Sequence, residues 1–236
     1  GQARGLSYLL YLPAAHVAAP LWPLLLCLHG AGELGNDLRA LLSEGATGLP
    51  AHRLQSHNSP QYQHDTATPA ALTNSFVVVS PQTSHGWRPR ELAAFAQSLA
   101  RDPRLRVDPS RMYVTGVSMG GAGAIAAAST GLFAAAVPVC AAGGDVSLID
   151  DQTAVWLFHG ANDAVVRVAH SDKAAALLKQ RRASLPAAAE VHYTRYGHAP
   201  APVGWPSYHG HASWLPTYSS PKLYAWLLQQ SRARAA

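Results

Sequence analysis

Met112-Tyr113-Val114-Thr115-Gly116-Val117-Ser118-Met119-Gly120-Gly121 decides how this chain is read. An apolar, β-branched run, Met112 to Thr115, meets a small-residue helical run, Gly121 to Ser129, through a turn with glycines on both sides of one serine. A strand that turns so sharply into a helix lifts the intervening side chain into a strained, exposed position, where a hydroxyl can meet a carbonyl carbon. The plainer reading of the same stretch is a glycine-bounded turn whose serine caps a helix. The rest of the chain separates the two.

A serine hydroxyl is a poor nucleophile at neutral pH. It needs a histidine to take its proton, a carboxylate to orient that histidine and donors for the oxyanion. In one known arrangement of alternating strands and helices these groups lie at strand ends in the order oxyanion loop, serine, acid, histidine. Upstream, Leu24-Leu25-Leu26-Cys27-Leu28 is a continuous apolar run suited to a strand buried on both faces, and it leads into His29-Gly30-Ala31-Gly32-Glu33-Leu34-Gly35. The amide of Ala31 or Gly32, with that of Met119, is the expected oxyanion hole. His29 reads as structural and Glu33 as a brace for the loop.

Downstream, Ala154 to Gly160 reads as another buried strand, and Asp163 follows its carboxyl end, ahead of a helix from about Val168 to Arg182. Asp145, Asp150 and Asp151 precede that strand and suit turns and caps, which leaves Asp163 as the expected acid. Four histidines compete for the base. His192 falls in the alternating run Glu190 to Tyr196, a strand face. His198, His209 and His211 share a Pro/Gly/aromatic loop before the last helix. Position favours His211, then His198, with geometry as the deciding criterion.

Several segments together resemble a known family: Ser80-Pro81-Gln82, Val107 to Gly121, Phe133 to Cys140, Trp156 to Val166, Gly210-His211-Ala212-Ser213-Trp214 and Leu223 to Leu228. The chain is similar to the predicted phospholipase/carboxylesterase group, some of whose members carry a predicted-peptidase label, within the dienelactone-hydrolase-like α/β-hydrolases. The resemblance covers most of the chain and implies an α/β-hydrolase fold acting on esters without a cofactor. In that family the histidine precedes a small-residue pair and a tryptophan, which places the base on His211.

The chain departs from the family pattern in three places. Segments 51–73 and 197–212 look expanded and are the expected specificity loops, the first carrying His52, His57, His64 and Asp65. Leu6 to Leu12 resembles the second strand of the family's opening hairpin, so the first strand is expected to be missing. Trp87, Trp205 and Tyr208 are candidate substrate-binding aromatics; Trp214 suits a pocket or the core equally.

Composition agrees with one domain spanning residues 1–236: 48% hydrophobic and 13% charged residues suit a mostly parallel, doubly wound sheet with helices on both faces. Further helices are expected at about Asn36 to Ser43 and Arg90 to Ala100. The histidine spacing forms no metal motif, so no metal is expected. The net charge of +5 is scattered, which argues against nucleic acid. Lys179-Gln180-Arg181-Arg182, Arg232 and Arg234 read as solvated helix ends. Cys27 and Cys140 fall on non-adjacent strands and are expected to be buried free thiols. No signal peptide and no membrane span is expected, and the compartment stays open. The expected activity is hydrolysis of a small or polymer-attached ester through an acyl-enzyme, with aryl or feruloyl, acetyl or aromatic polyester substrates in view. The alternatives are a peptidase of the same mechanism and a non-catalytic binding module on the same fold.

Overall fold

A computed structural model describes residues 2–3, 5–16, 21–43, 46–49, 69–202 and 204–233. Its eight strands are β1 Gln2–Ala3, β2 Leu6–Tyr11, β3 Trp22–Leu28, β4 Val77–Gln82, β5 Val107–Val117, β6 Ala135–Val139, β7 Ala154–Gly160 and β8 Val191–Tyr196. They form one sheet in the order β1-β2-β4-β3-β5-β6-β7-β8. β1 and β2 run antiparallel at one edge and the other neighbours are parallel. Among the described residues the complete α-helices are α1 Ala70–Ser75, α2 Pro89–Ala100, α3 Met119–Ala128, α4 Ala169–Arg182, α5 Trp214–Tyr218 and α6 Pro221–Gln229.

Alternation along β3 explains why the sheet is covered twice. Leu24, Leu26 and Leu28 point to one face, into a core shared with Leu92, Phe95 and Leu99 of α2, Ile125 of α3 and Leu178 of α4. Leu25 and Cys27 point to the other, under Trp214 and Tyr218 of α5 and Leu223, Tyr224 and Leu227 of α6. Each fully buried leucine or phenylalanine contributes roughly 1.5–3 kcal/mol. β3 therefore reads as an unbroken apolar run because neither of its faces meets water. Every central parallel strand ends on the same edge of the sheet, and the loops there carry the site.

Four expectations change. The opening strand is present: β1 pairs with β2 through Gln2 and Ser7, and Ala3 and Leu6. The helix expected at Asn36 to Ser43 is a 3-10 segment, Leu38–Leu42, started by the Asp37 carboxylate accepting from Arg39 N. Arg181 and Arg182 are not merely solvated. Arg182 is buried and donates to the carbonyls of Ala189, Asp150 and Thr153, while Arg181 donates to those of Val146, Ser147 and Ile149. Arg232 likewise pairs with Asp150 at 2.8 Å. These cations tie down the connection before β7, whose carbonyls have no strand partner.

Of the expected specificity loop 51–73, residues 51–68, with His52, His57, His64 and Asp65, lie outside the described residues; Pro69 leads directly into α1. Cys27 and Cys140 are buried free thiols. Among the described residues no helix is long and apolar enough to cross a membrane.

Candidate active site

Ser118 stands between the last residue of β5 and the first of α3 at φ 57° and ψ −113°. A non-glycine residue there carries strain of about 1–3 kcal/mol, which persists only when its surroundings impose it. Three hydrogen bonds do so: Ser118 N donates to Val139 O, and Ser118 O accepts from Ala122 N and Ala142 N. Gly120 has no room for a side chain, because a Cβ would overlap the carbonyl oxygen of Leu28 at the end of β3. Close approach of α3 to β3 is what makes the turn tight. Met119 N opens α3, ahead of the helix's first donor at Ala122, so its amide has no partner within the helix.

Across the cleft, Ala31–Glu33 forms a 3-10 turn whose first internal donor is Glu33 N, which leaves the amides of Ala31 and Gly32 at its open end. The turn is held from behind. The buried Glu33 carboxylate accepts from Thr47 N at 2.5 Å and Thr47 Oγ1 at 3.2 Å, and Gly30 N donates to Thr47 Oγ1. Burial pushes the Glu33 carboxyl up, against the pull of these donors. His29, also buried, has Nδ1 against Gly30 O at 2.7 Å and accepts from Thr83 N through Nε2. Burial pushes its imidazole down, so it stays uncharged and structural.

Asp163 sits three residues past β7 with its side chain wholly buried. Oδ1 accepts from Val165 N at 2.8 Å and Val166 N at 2.9 Å, and Oδ2 accepts from His211 Nδ1 at 2.8 Å. Burial works against charge on Asp163, but hydrogen bonds from His159, His211 and the Val166 amide outweigh it and hold the carboxyl well below the usual range. Burial likewise opposes charge on His211, yet its bond to Asp163, with a further contribution from Cys140, pushes the imidazole up to about 10.

The loop carrying His211 closes on the Asp163 loop at Gly210, whose φ is 80° and whose Cβ would overlap Asn162 O. His198 and His209 are occupied elsewhere: Asn162 Nδ2 lies 3.1 Å from His198 Nδ1 and 3.1 Å from His209 Nε2, with the two rings 5.3 Å apart. Of the competing histidines, His211 is the one bonded to Asp163. His192 lies on β8 against Glu190 and Trp156.

Ser118, Ala31, Gly32 and His211 share a cavity of about 460 Å³, walled by Pro202, Trp205, Tyr208 and Trp214. Trp205 and Tyr208 meet edge to face at its mouth, 5.5 Å between ring centroids, and Trp214 packs edge-on against His211. Trp87 is not part of this lining. Its indole packs against Gly123 and His29 and donates to His29 O at 3.1 Å, bracing the loop that follows β3. Among the described residues, one metal-capable group comes together: Cys140, Asp163 and His211, with ligand atoms within 4.8 Å of one another. The Asp163–His211 hydrogen bond already uses two of those atoms.

Sequence reasoning gave His159 and Asn162 no role, although both lie inside the quoted strand-to-acid segment. The i, i+4 spacing of His159 and Asp163, across the strand end, was the available signal; they stand 3.2 Å apart.

The chain is similar to solved hydrolases. It matches a thermostable esterase at 29% identity and TM-score 0.72 over 96% of this chain and 60% of that one. The fold is that of the α/β-hydrolases. A truncated carbohydrate esterase from gut microbiota matches at 15% identity and TM-score 0.59 over 93% and 89% of the two chains. Porphyromonas gingivalis dipeptidyl peptidase 4 matches at 14% identity and TM-score 0.60 over 95% and 33%. The chain thus spans three-fifths of the thermostable esterase's length. No family model and no curated protein matches it.

Proposed function

We propose that the protein is a serine carboxylesterase. The observation that carries the reading is the Asp163–His211 hydrogen bond, whose histidine lines one cavity with a strained serine at a strand-to-helix elbow. With Nδ1 committed to Asp163, His211 has Nε2 left to take the Ser118 proton as Oγ attacks the ester carbonyl. The negative charge then developing on the carbonyl oxygen falls to the Met119 amide and to that of Ala31 or Gly32. His211, now imidazolium beside the Asp163 carboxylate, protonates the departing alcohol, and water activated by the same histidine releases the acid. Every proton in the cycle passes through His211.

The mouth favours flat or apolar groups, because Trp205 and Tyr208 offer ring surface at small conformational cost. Loop 197–212 is thereby the specificity element of this reading.

Hydrolysis of p-nitrophenyl acetate, butyrate and octanoate by the wild type, Ser118→Ala, His211→Ala and His198→Ala tests it. The first two substitutions should abolish turnover and the third should spare it, while the acyl series maps the cavity. Activity surviving Ser118→Ala refutes the mechanism. Turnover of peptidyl anilides in place of these esters would make the protein a peptidase of the same chemistry.

A further inference from the structure

The Asp163 carboxylate receives a fourth contact that the esterase mechanism does not call for. His159, one residue before the end of β7, is completely buried, and its Nε2 lies 3.2 Å from Asp163 Oδ2 and 2.9 Å from Val166 O. A carboxylate and a carbonyl are both acceptors, so the ring hydrogen belongs on Nε2, shared between them. Nδ1 then accepts from the hydroxyl of Ser171, 2.7 Å away in the first turn of α4 and itself buried. Ser171, His159, Asp163 and His211 thus form one buried chain leading to the cavity that holds Ser118. His159 does not line that cavity. An imidazole wholly out of water is costly unless its nitrogens are satisfied, and a leucine would fill the same space without that cost.

We infer that His159, oriented by Ser171, is a positioning residue for Asp163: it holds Oδ2 from behind while Val165 and Val166 hold Oδ1, so the carboxylate meets His211 in one fixed geometry. The inference rests on the reading of Ser118, His211 and Asp163 as a triad. It also has an electrostatic sign. The Nε2–H dipole turns its positive end towards the carboxylate and offsets part of the pull that Asp163 exerts on the His211 proton. Without that dipole, His211 keeps its proton to higher pH. Substrate binding is untouched, because His159 does not line the cavity.

The experiment is kcat and KM against pH for p-nitrophenyl butyrate, with thermal midpoints and counting of reactive Ser118 by a fluorophosphonate, on wild type, His159→Leu, His159→Gln and Ser171→Ala. Glutamine can donate from the place of the imidazole Nε2, and leucine cannot. His159→Leu should lose about 10- to 100-fold in kcat per labelled site at unchanged KM, as outer partners of a reactive group typically do. Its acidic limb should move up by about half a pH unit or more. His159→Gln should restore both readouts, and Ser171→Ala should fall between. If His159→Leu does not fold, Ser171→Ala against His159→Gln decides: a lowered kcat and raised limb in the first alone supports the role. Wild-type kcat and limb in His159→Leu, or in Ser171→Ala where the leucine variant does not fold, overturns it; so does a glutamine variant with a full loss. A wild type that the fluorophosphonate does not label, or an active Ser118→Ala, brings down the triad reading itself and is read separately.

Discussion

The Asp163 side chain has no surface in contact with water, whereas Trp205, on the wall of the neighbouring cavity, keeps 53% of its own exposed. The inner region is over-determined. Each Asp163 oxygen has two partners, Gly210 lets two loops interlock, and hydrogen bonds from two neighbouring segments hold the Ser118 backbone in a strained geometry. The outer region carries a short 3-10 turn, Pro206–Tyr208, with local backbone bonds from Trp205 N to Pro202 O and from Tyr208 N to Trp205 O. The difference teaches where change is tolerated. Chemistry needs reacting atoms fixed to a fraction of an ångström, while recognition of a flat group needs only surface.

The comparison breaks most visibly at Asp163. Asp163→Asn keeps the shape but reverses the donor pattern facing His211, and kcat should fall on the order of 10⁴-fold with KM little changed, as steady-state kinetics would show. An asparagine variant within tenfold of the wild type would mean that the inner region is not catalytic.

Gly120→Ala probes the packing beneath the serine. Its methyl would overlap Leu28 O, so α3 must move off β3, and urea titration should show a stability loss of about 3 kcal/mol, the upper end for overpacking. An unchanged urea midpoint would show that the elbow can relax.

A third prediction uses pH. His211 is held above 6.5, at up to about 10, so its uncharged, proton-accepting form gains population as pH rises. The acidic limb of kcat/KM should therefore lie above pH 6.5, and in Asp163→Asn it should drop back towards that of an ordinary histidine. Linkage runs the other way for folding. A raised pKa contributes stability that is fully present below pH 6.5 and lost as pH passes through about 10, so the thermal midpoint should decline across that interval. A limb below 6.5 would contradict both.

The smallest effect belongs to the mouth. Trp205→Ala should leave the thermal midpoint and the kcat for p-nitrophenyl acetate in place and raise KM for aryl esters roughly 3- to 10-fold, about 0.7–1.4 kcal/mol. A large drop in kcat would place Trp205 with the inner group.

Much of this arrangement is legible in the chain because local chemistry enforces it. The glycines at 116 and 120 mark a tight strand-to-helix turn around a serine, and the apolar run of β3 admits no wet face. What stays hidden depends on contacts distant in sequence. Nothing near His198 marks it as engaged by Asn162, and nothing near His211 shows that Gly210 lets its loop reach the Asp163 loop. Arg181 and Arg182 look like a solvated helix end until the carbonyls of 146–153 are brought against them. The first strand escapes the sequence for a similar reason: β1 has two residues, too few for a periodic pattern, and exists through its pairing with β2. Trp87 looks like a pocket aromatic by type, but the space beside Gly123 takes it.

The most direct test is the intact mass of the protein after exposure to a fluorophosphonate, followed by peptide mapping. The account predicts stoichiometric addition of one phosphonyl group on Ser118, with none on Ser118→Ala and strongly slowed addition on His211→Ala. Labelling that persists in Ser118→Ala, or a folded and unreactive wild type, would contradict it.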